Sequence, residues 1–134
     1  MTGTVMLFLI LVCLVPYPVL ATDIIVVPDQ HRTIAAAVLA AIPGDTVLVR
    51  PGAYPEGIVI DKPIRLIGSG TDQTQVRSSS SKGTIWVGAD DVTISGFSVF
   101  NDEAGAVATV KGENCKRLNV TGNVISGGVQ LAYC

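Results

Sequence analysis

Val92-Thr-Ile-Ser-Gly-Phe-Ser-Val99 and Leu118-Asn-Val-Thr-Gly-Asn-Val-Ile125 repeat at a 26-residue interval and agree in residue class at six of eight positions, with Gly96 falling on Gly122. A second, 22-residue interval joins Gly83, Gly105 and Gly127, and the second residue after each is Ile85, Val107 or Val129. Turns of unequal length reconcile the two: Val87 to Val92 encloses four residues, whereas Val110 to Leu118 encloses seven. Solenoids vary in this way, because strands must stay stacked on their neighbours while turns are free to lengthen. On this reading Val107 stacks between Ile85 and Val129.

Working outward, residues 22–134 hold 15 Val and 11 Ile against only 5 Leu. β-Branched side chains are stiff at χ1 and suit a pleated surface, so the bulk of the chain is expected to be strand. Leucine-rich repeats have a similar period but need several Leu per turn, and this composition cannot supply them. Short strands are expected at Thr46–Val49, Gly57–Ile60, Ile64–Ile67, Gly83–Val87 and Val92–Ile94, punctuated by Pro51-Gly52, Lys62-Pro63 and Gly68-Ser-Gly70. The four serines from Ser78 to Ser81 read as a solvated loop.

The exception is Thr33-Ile-Ala-Ala-Ala-Val-Leu-Ala-Ala-Ile42, where alanines carry helix propensity, Thr33 suits an N-cap and Pro43-Gly44 a stop. Ile34, Val38 and Ile42 recur every four residues and form the expected apolar stripe of a short helix over 33–42. Its expected role is to cover the unpaired first edge of the coil.

Charge narrows the function classes. Nine Lys+Arg against eleven Asp+Glu, a net charge of −2, supply no basic footprint for nucleic acid. Residues 1–21 are uncharged, with an apolar run from Val5 to Val15, Pro16 and Pro18 after it, and Val19-Leu20-Ala21 before a cut. This predicts a signal peptide removed after Ala21, and a secreted, periplasmic or cell-surface protein with no membrane contact after cleavage. The absence of Lys and Arg from the n-region leaves a retained anchor as the alternative. Cys13 leaves with the signal; Cys115 and Cys134 are then a possible disulfide or two separate thiols.

The stretch from Thr33 to Gly68, with its helix, Pro43-Gly-Asp45 turn, strand, Pro51-Gly-Ala-Tyr54 turn and a strand ending before Lys62-Pro63, resembles the opening of right-handed parallel β-helix proteins of the pectin-lyase-like superfamily. Ile94-Ser-Gly-Phe97 and Val120-Thr-Gly-Asn123 resemble its later coils, and the resemblance spans residues 24–133. It implies an all-β right-handed solenoid of about three coils over residues 22–134, with a capping helix. The superfamily hosts polysaccharide lyases, pectin esterases, glycoside hydrolases, surface proteins and a periplasmic metal-maturation factor, so the fold does not choose among them.

Three functions follow as expectations: a polysaccharide- or surface-associated binding module, a lyase or hydrolase of uronate-rich glycans, or a periplasmic metal-delivery accessory. For catalysis, Asp90-Asp91 is the candidate carboxylate pair, set against a turn whose Asp side chains bond local backbone. Trp86 and Tyr54 are candidates for stacking on sugar, set against ordinary packing. In Asn101-Asp102-Glu103, Asp102 and Glu103, with Asp90 or Asp91, are candidate oxygen ligands for Ca²⁺, set against a solvated loop; no other cofactor is expected. His31 lacks partners for copper, and Arg50, Arg65 and Arg77 do not follow the coil period. Asn119-Val-Thr121 fits an N-glycosylation acceptor. The last strand, near Val129–Tyr133, is expected to be open, predicting either self-association or a chain truncated at its C-terminal side.

Overall fold

The computed structural model describes residues 21–106 and 108–134. The expected signal peptide lies outside them apart from Ala21, as does Val107. After β1 (Ile24–Val27) comes a helix, α1 (Ile34–Ala40). The chain then makes four circuits: β2 (Thr46–Val49), β3 (Gly52–Tyr54) and β4 (Ile58–Ile60); β5 (Arg65–Gly68), β6 (Thr74–Ser78) and β7 (Ile85–Val87); β8 (Thr93–Ser95), β9 (Ser98–Asn101) and β10 (Val110–Glu113); β11 (Asn119–Thr121), β12 (Val124–Ser126) and β13 (Val129–Ala132).

Each strand pairs in parallel with its equivalent one circuit later. The first sheet runs β1-β2-β5-β8-β11, the second β3-β6-β9-β12 and the third β4-β7-β10-β13. This is the expected parallel β-helix, but deeper than about three coils. Some circuits are shorter than the inferred period: Thr46 pairs with Arg65 and Val110 with Val129, each a 19-residue step.

Stacking of inward side chains makes the core. Ile25, Val47, Leu66 and Ile94 follow one another up the first sheet, and Ile58, Ile85 and Val110 up the third, all buried. Burying such a side chain contributes about 2 kcal/mol, repeated along each column. The 26-residue register holds: Ile94 pairs with Val120 and Ser98 with Val124. The 22-residue glycine register does not, because Val110 occupies the place between Ile85 and Val129 that was expected of Val107. Gly105, at φ 81°, turns a loop that follows β9 instead of opening a strand.

One strand forms where a turn was expected, and another in a stretch to which no element was assigned. β3 is Gly-Ala-Tyr, and β6 carries only Val76 as an apolar residue. Both are held by their register neighbours, and Thr74 is buried with its hydroxyl accepting from the Ser69 amide at 3.0 Å.

The helix is clamped from outside. Thr33 caps it, its hydroxyl accepting from the Ala36 amide at 3.1 Å. Glu56, from the turn before β4, accepts from the Ile34 and Ala35 amides at 3.2 and 2.6 Å. Lys62 donates to the Leu39 and Ala41 carbonyls at 3.1 and 2.8 Å. Free amides at a helix start and free carbonyls at its end are thereby satisfied by charges of the favourable sign. The buried stripe is Ile34, Ala37, Val38 and Ala41, packed against β1, β2 and β4. Ile42 is not part of it: the backbone turns extended at Ala41, and Ile42 is left 47% exposed.

Candidate functional site

The outward face of the third sheet carries a ladder of Val59, Trp86, Lys111 and Gln130, one from each successive circuit. Parallel pairing places equivalent residues about 4.8 Å apart, so the valine, indole and ammonium are consecutive rungs. Gly88 follows Trp86 by two residues and so lies on the same face. A Cβ at Gly88 would fall 2.3 Å from Trp86 Cη2, so the indole lies along the strand in the space that glycine leaves.

Around the indole lies a groove of about 490 Å³ lined by Gly57, Val59, Lys82, Trp86, Lys111 and Glu113. Lys111 Nζ and Glu113 Oε1 are 2.9 Å apart. The hydrogen bond from Lys111 and its charge, with smaller contributions from Trp86 and Lys82, outweigh desolvation and hold the Glu113 carboxyl below its ordinary range. At neutral pH the groove thus presents two cations, one carboxylate and an aromatic face.

A folded-state pKa below the unfolded one means that the Lys111–Glu113 attraction is present above the usual glutamate range and is lost as pH falls through the lowered value. Lys111→Ala is accordingly expected to raise the Glu113 titration midpoint towards that of a free glutamate, observed through its side-chain carboxyl shift by NMR. An unmoved midpoint would remove Lys111 as the cause.

The other sequence candidates lie elsewhere. Tyr54 is buried under the second sheet, its hydroxyl donating to the Arg50 carbonyl at 2.8 Å, so it closes the Pro51-Gly52 turn and does not share a face with Trp86. Asp91 forms a two-pronged pair with Arg117, through Nε and, at 2.6 Å, through Nη2, and that hydrogen bonding lowers its pKa. Asp90 accepts from the Lys116 amide at 2.7 Å. Both carboxylates join the corner of the third circuit to that of the fourth, and neither lines the groove.

Asp102 accepts from Arg77 Nη1 at 2.9 Å, and Glu103 from the Ser79 hydroxyl at 2.9 Å. Among the described residues no three His, Cys, Asp or Glu side chains converge as metal ligands. Cys115 and Cys134 are bonded to each other, which occupies the two thiols a copper site with His31 would need. Arg50 pairs with Asp29 at 2.7 Å, and Arg77 also lies over the Phe100 ring.

Lys82, Gly88, Lys111 and Glu113 were not legible as a site. The signal was present in the Trp86 to Lys111 spacing, but the 22-residue glycine interval pairs Trp86 with Ala108 instead. Placing the lysine beside the indole requires the true register.

Solved structures with a similar fold include pectin methylesterase in complex with hexasaccharide VII (16% identity, TM-score 0.63, 82% of this chain and 47% of that one). The D178A mutant of pectin methylesterase with hexasaccharide IV gives 17% identity and a TM-score of 0.58, over 85% and 48% of the two chains. Pectin methylesterase PemA from Erwinia chrysanthemi gives 16% and 0.60, over 84% and 47%. The fold is the right-handed parallel β-helix of the pectin-lyase-like type. At these identities the pectin-lyase-like likeness is one of fold alone, and the chain spans just under half the length of those proteins. No protein-family model and no curated protein sequence matches the chain. Among the described residues no helix is long and apolar enough to cross a membrane.

Proposed function

We propose that this protein is a polysaccharide-binding β-helix module that seats acidic glycan chains in the groove of the third sheet. The observation that carries this reading is the Trp86 indole, whose far edge lies against Gly88 and which shares the groove with Lys82 and Lys111. A flat aromatic face suits the apolar face of a sugar ring, and the flanking ammonium groups suit its carboxylate. The likeness of fold to pectin methylesterases in complex with hexasaccharides supports a polysaccharide ligand. The groove's one carboxylate, Glu113, is engaged by Lys111, and the candidate pair Asp90-Asp91 is tied up at a corner, which favours binding over hydrolysis. The Cys115–Cys134 bond supports an exported location, since thiols are kept reduced in the cytosol.

The test is calorimetric titration with de-esterified pectin fragments, using a neutral glucan as control. Trp86→Ala is expected to weaken binding about tenfold, the scale of a central aromatic anchor. Gly88→Ala, whose new methyl displaces the far edge of the indole, is expected to weaken it similarly while shifting Trp fluorescence. Salt should weaken the interaction with uronates, as charge pairing at a surface requires. Binding that both variants leave intact, or that prefers the neutral glucan, would overturn the assignment.

A further inference from the structure

We infer that Glu113 is a built-in rival of the ligand's carboxylate: it holds the Lys111 ammonium that an acidic sugar would take, and the sugar displaces it. The inference rests on the binding role proposed for the groove and adds the residue that sets its affinity.

The first observation is that this ion pair differs in kind from the others among the described residues. Asp29–Arg50, Arg77–Asp102 and Asp91–Arg117 join residues 21, 25 and 26 positions apart, so each fastens one circuit to the next. Lys111 and Glu113 stand two residues apart on β10 and fasten nothing that the strand does not already hold. Their side chains are 31% and 38% exposed, where an ion pair contributes little to stability. Exchanging its partner therefore leaves the coil intact.

The second is where the carboxylate lies. Residues two apart on a strand share a face, so both side chains point outward beside the indole. Lys111 is the register partner of Trp86, and one position beyond the Gly112–Val87 pair the same register sets Glu113 beside Gly88, against which the indole edge lies. The Glu113 carboxylate reaches Lys111 Nζ at 2.9 Å and accepts a lesser hydrogen bond from Trp86, while Lys82, from the turn before β7, attracts it at longer range. On the other side β13 brings Gln130 beside Lys111 and Ala132 beside Glu113, and neither is charged. Glu113 thus draws on Lys111, Lys82 and Trp86, the same three groups on which the acidic sugar is proposed to sit. Two carboxylates brought to one ammonium repel each other. Glu113 is the one that yields, because its side chain can turn about three χ angles into solvent while a ring stacked on the indole stays in place.

Calorimetric titration with de-esterified pectin fragments tests this through a double-mutant cycle. Glu113→Gln, which keeps the shape of the side chain and removes its charge, is expected to tighten binding about fivefold, the scale of one exposed ion pair. In a Lys111→Ala background the same change should have no effect, because the ammonium in dispute is gone. With fragments saturating the wild-type groove, the Glu113 titration midpoint, followed through its side-chain carboxyl shift, should rise towards that of an unpaired glutamate. Unchanged or weaker binding by Glu113→Gln would overturn the rivalry. A gain that persists in Lys111→Ala would overturn it too, since it would then reflect only the lower negative charge of the groove. Failure of the groove as a binding site shows differently: neither the wild type nor Glu113→Gln binds the fragments, and the rivalry falls with it.

Discussion

Alanine at Gly68 or Gly96 is expected to destabilise the fold by about 3 kcal/mol, whereas alanine at Gly122 should cost only about 1 kcal/mol. The three glycines stand at the same corner in successive circuits, where the first sheet leads into the second: β5 pairs with β8 in a 28-residue step and β8 with β11 in a 26-residue step. A Cβ on Gly68 would lie 2.3 Å from the Gly96 carbonyl oxygen, and one on Gly96 would lie 2.6 Å from the Gly68 carbonyl oxygen. Both obstacles are backbone, held by the sheets on either side, so neither can swing away as a side chain would. Gly96 also has φ 80°, which adds left-handed strain for any residue with a Cβ.

Gly122 has φ 62° but nothing within 4 Å of its would-be Cβ, so only the conformational cost applies. Urea unfolding of the three variants checks the contrast. Equal losses at all three positions would show that backbone conformation, and not close approach between circuits, sets the requirement.

The second large effect is expected at Asp45. Its carboxylate is almost wholly buried and accepts from the Asp23 amide through Oδ1 and from the Ile42 amide through Oδ2, both at 2.9 Å. One side chain thus ties the chain entering β1 to the chain leaving α1. Hydrogen bonds to a charged acceptor are worth about 1.5–3 kcal/mol, and removing the acceptor strands two donors in a partly buried setting. Asp45→Ala should therefore cost about 3 kcal/mol, and Asp45→Asn, which keeps one acceptor oxygen, about half as much. Asp61→Ala, at an exposed position, serves as the neutral control in the same thermal unfolding series. A loss for Asp45→Ala no larger than the control's would remove the tether.

Much of this architecture was legible because repetition and composition report the same geometry. Val/Ile enrichment called for strands, the 26-residue match set one register correctly, and Thr33 and Pro43-Gly44 bracketed the helix closely. The weak points were those where local sequence is ambiguous. Gly83, Gly105 and Gly127 each bend the chain at positive φ, yet only Gly83 and Gly127 lead directly into strands of the third sheet. A glycine signals a turn without saying which turn. Likewise β3 and β6 hold few apolar residues and become strands because their neighbours in the second sheet supply the hydrogen-bond partners.

What the sequence determined by itself is the class of structure: periodic β-branched residues with bends between them can bury their apolar positions only by stacking circuit on circuit. What the tertiary structure decided is which side chains meet. Trp86 and Lys111, Glu56 and the start of α1, and Asp91 and Arg117 are each far apart along the chain and adjacent in space. Turn length sets which residue lies above which, and a change of one residue moves every outward side chain to the opposite face of the sheet. The groove and the helix clamp both depend on that register, which is fixed by the close packing of whole circuits and not by any local run of residues.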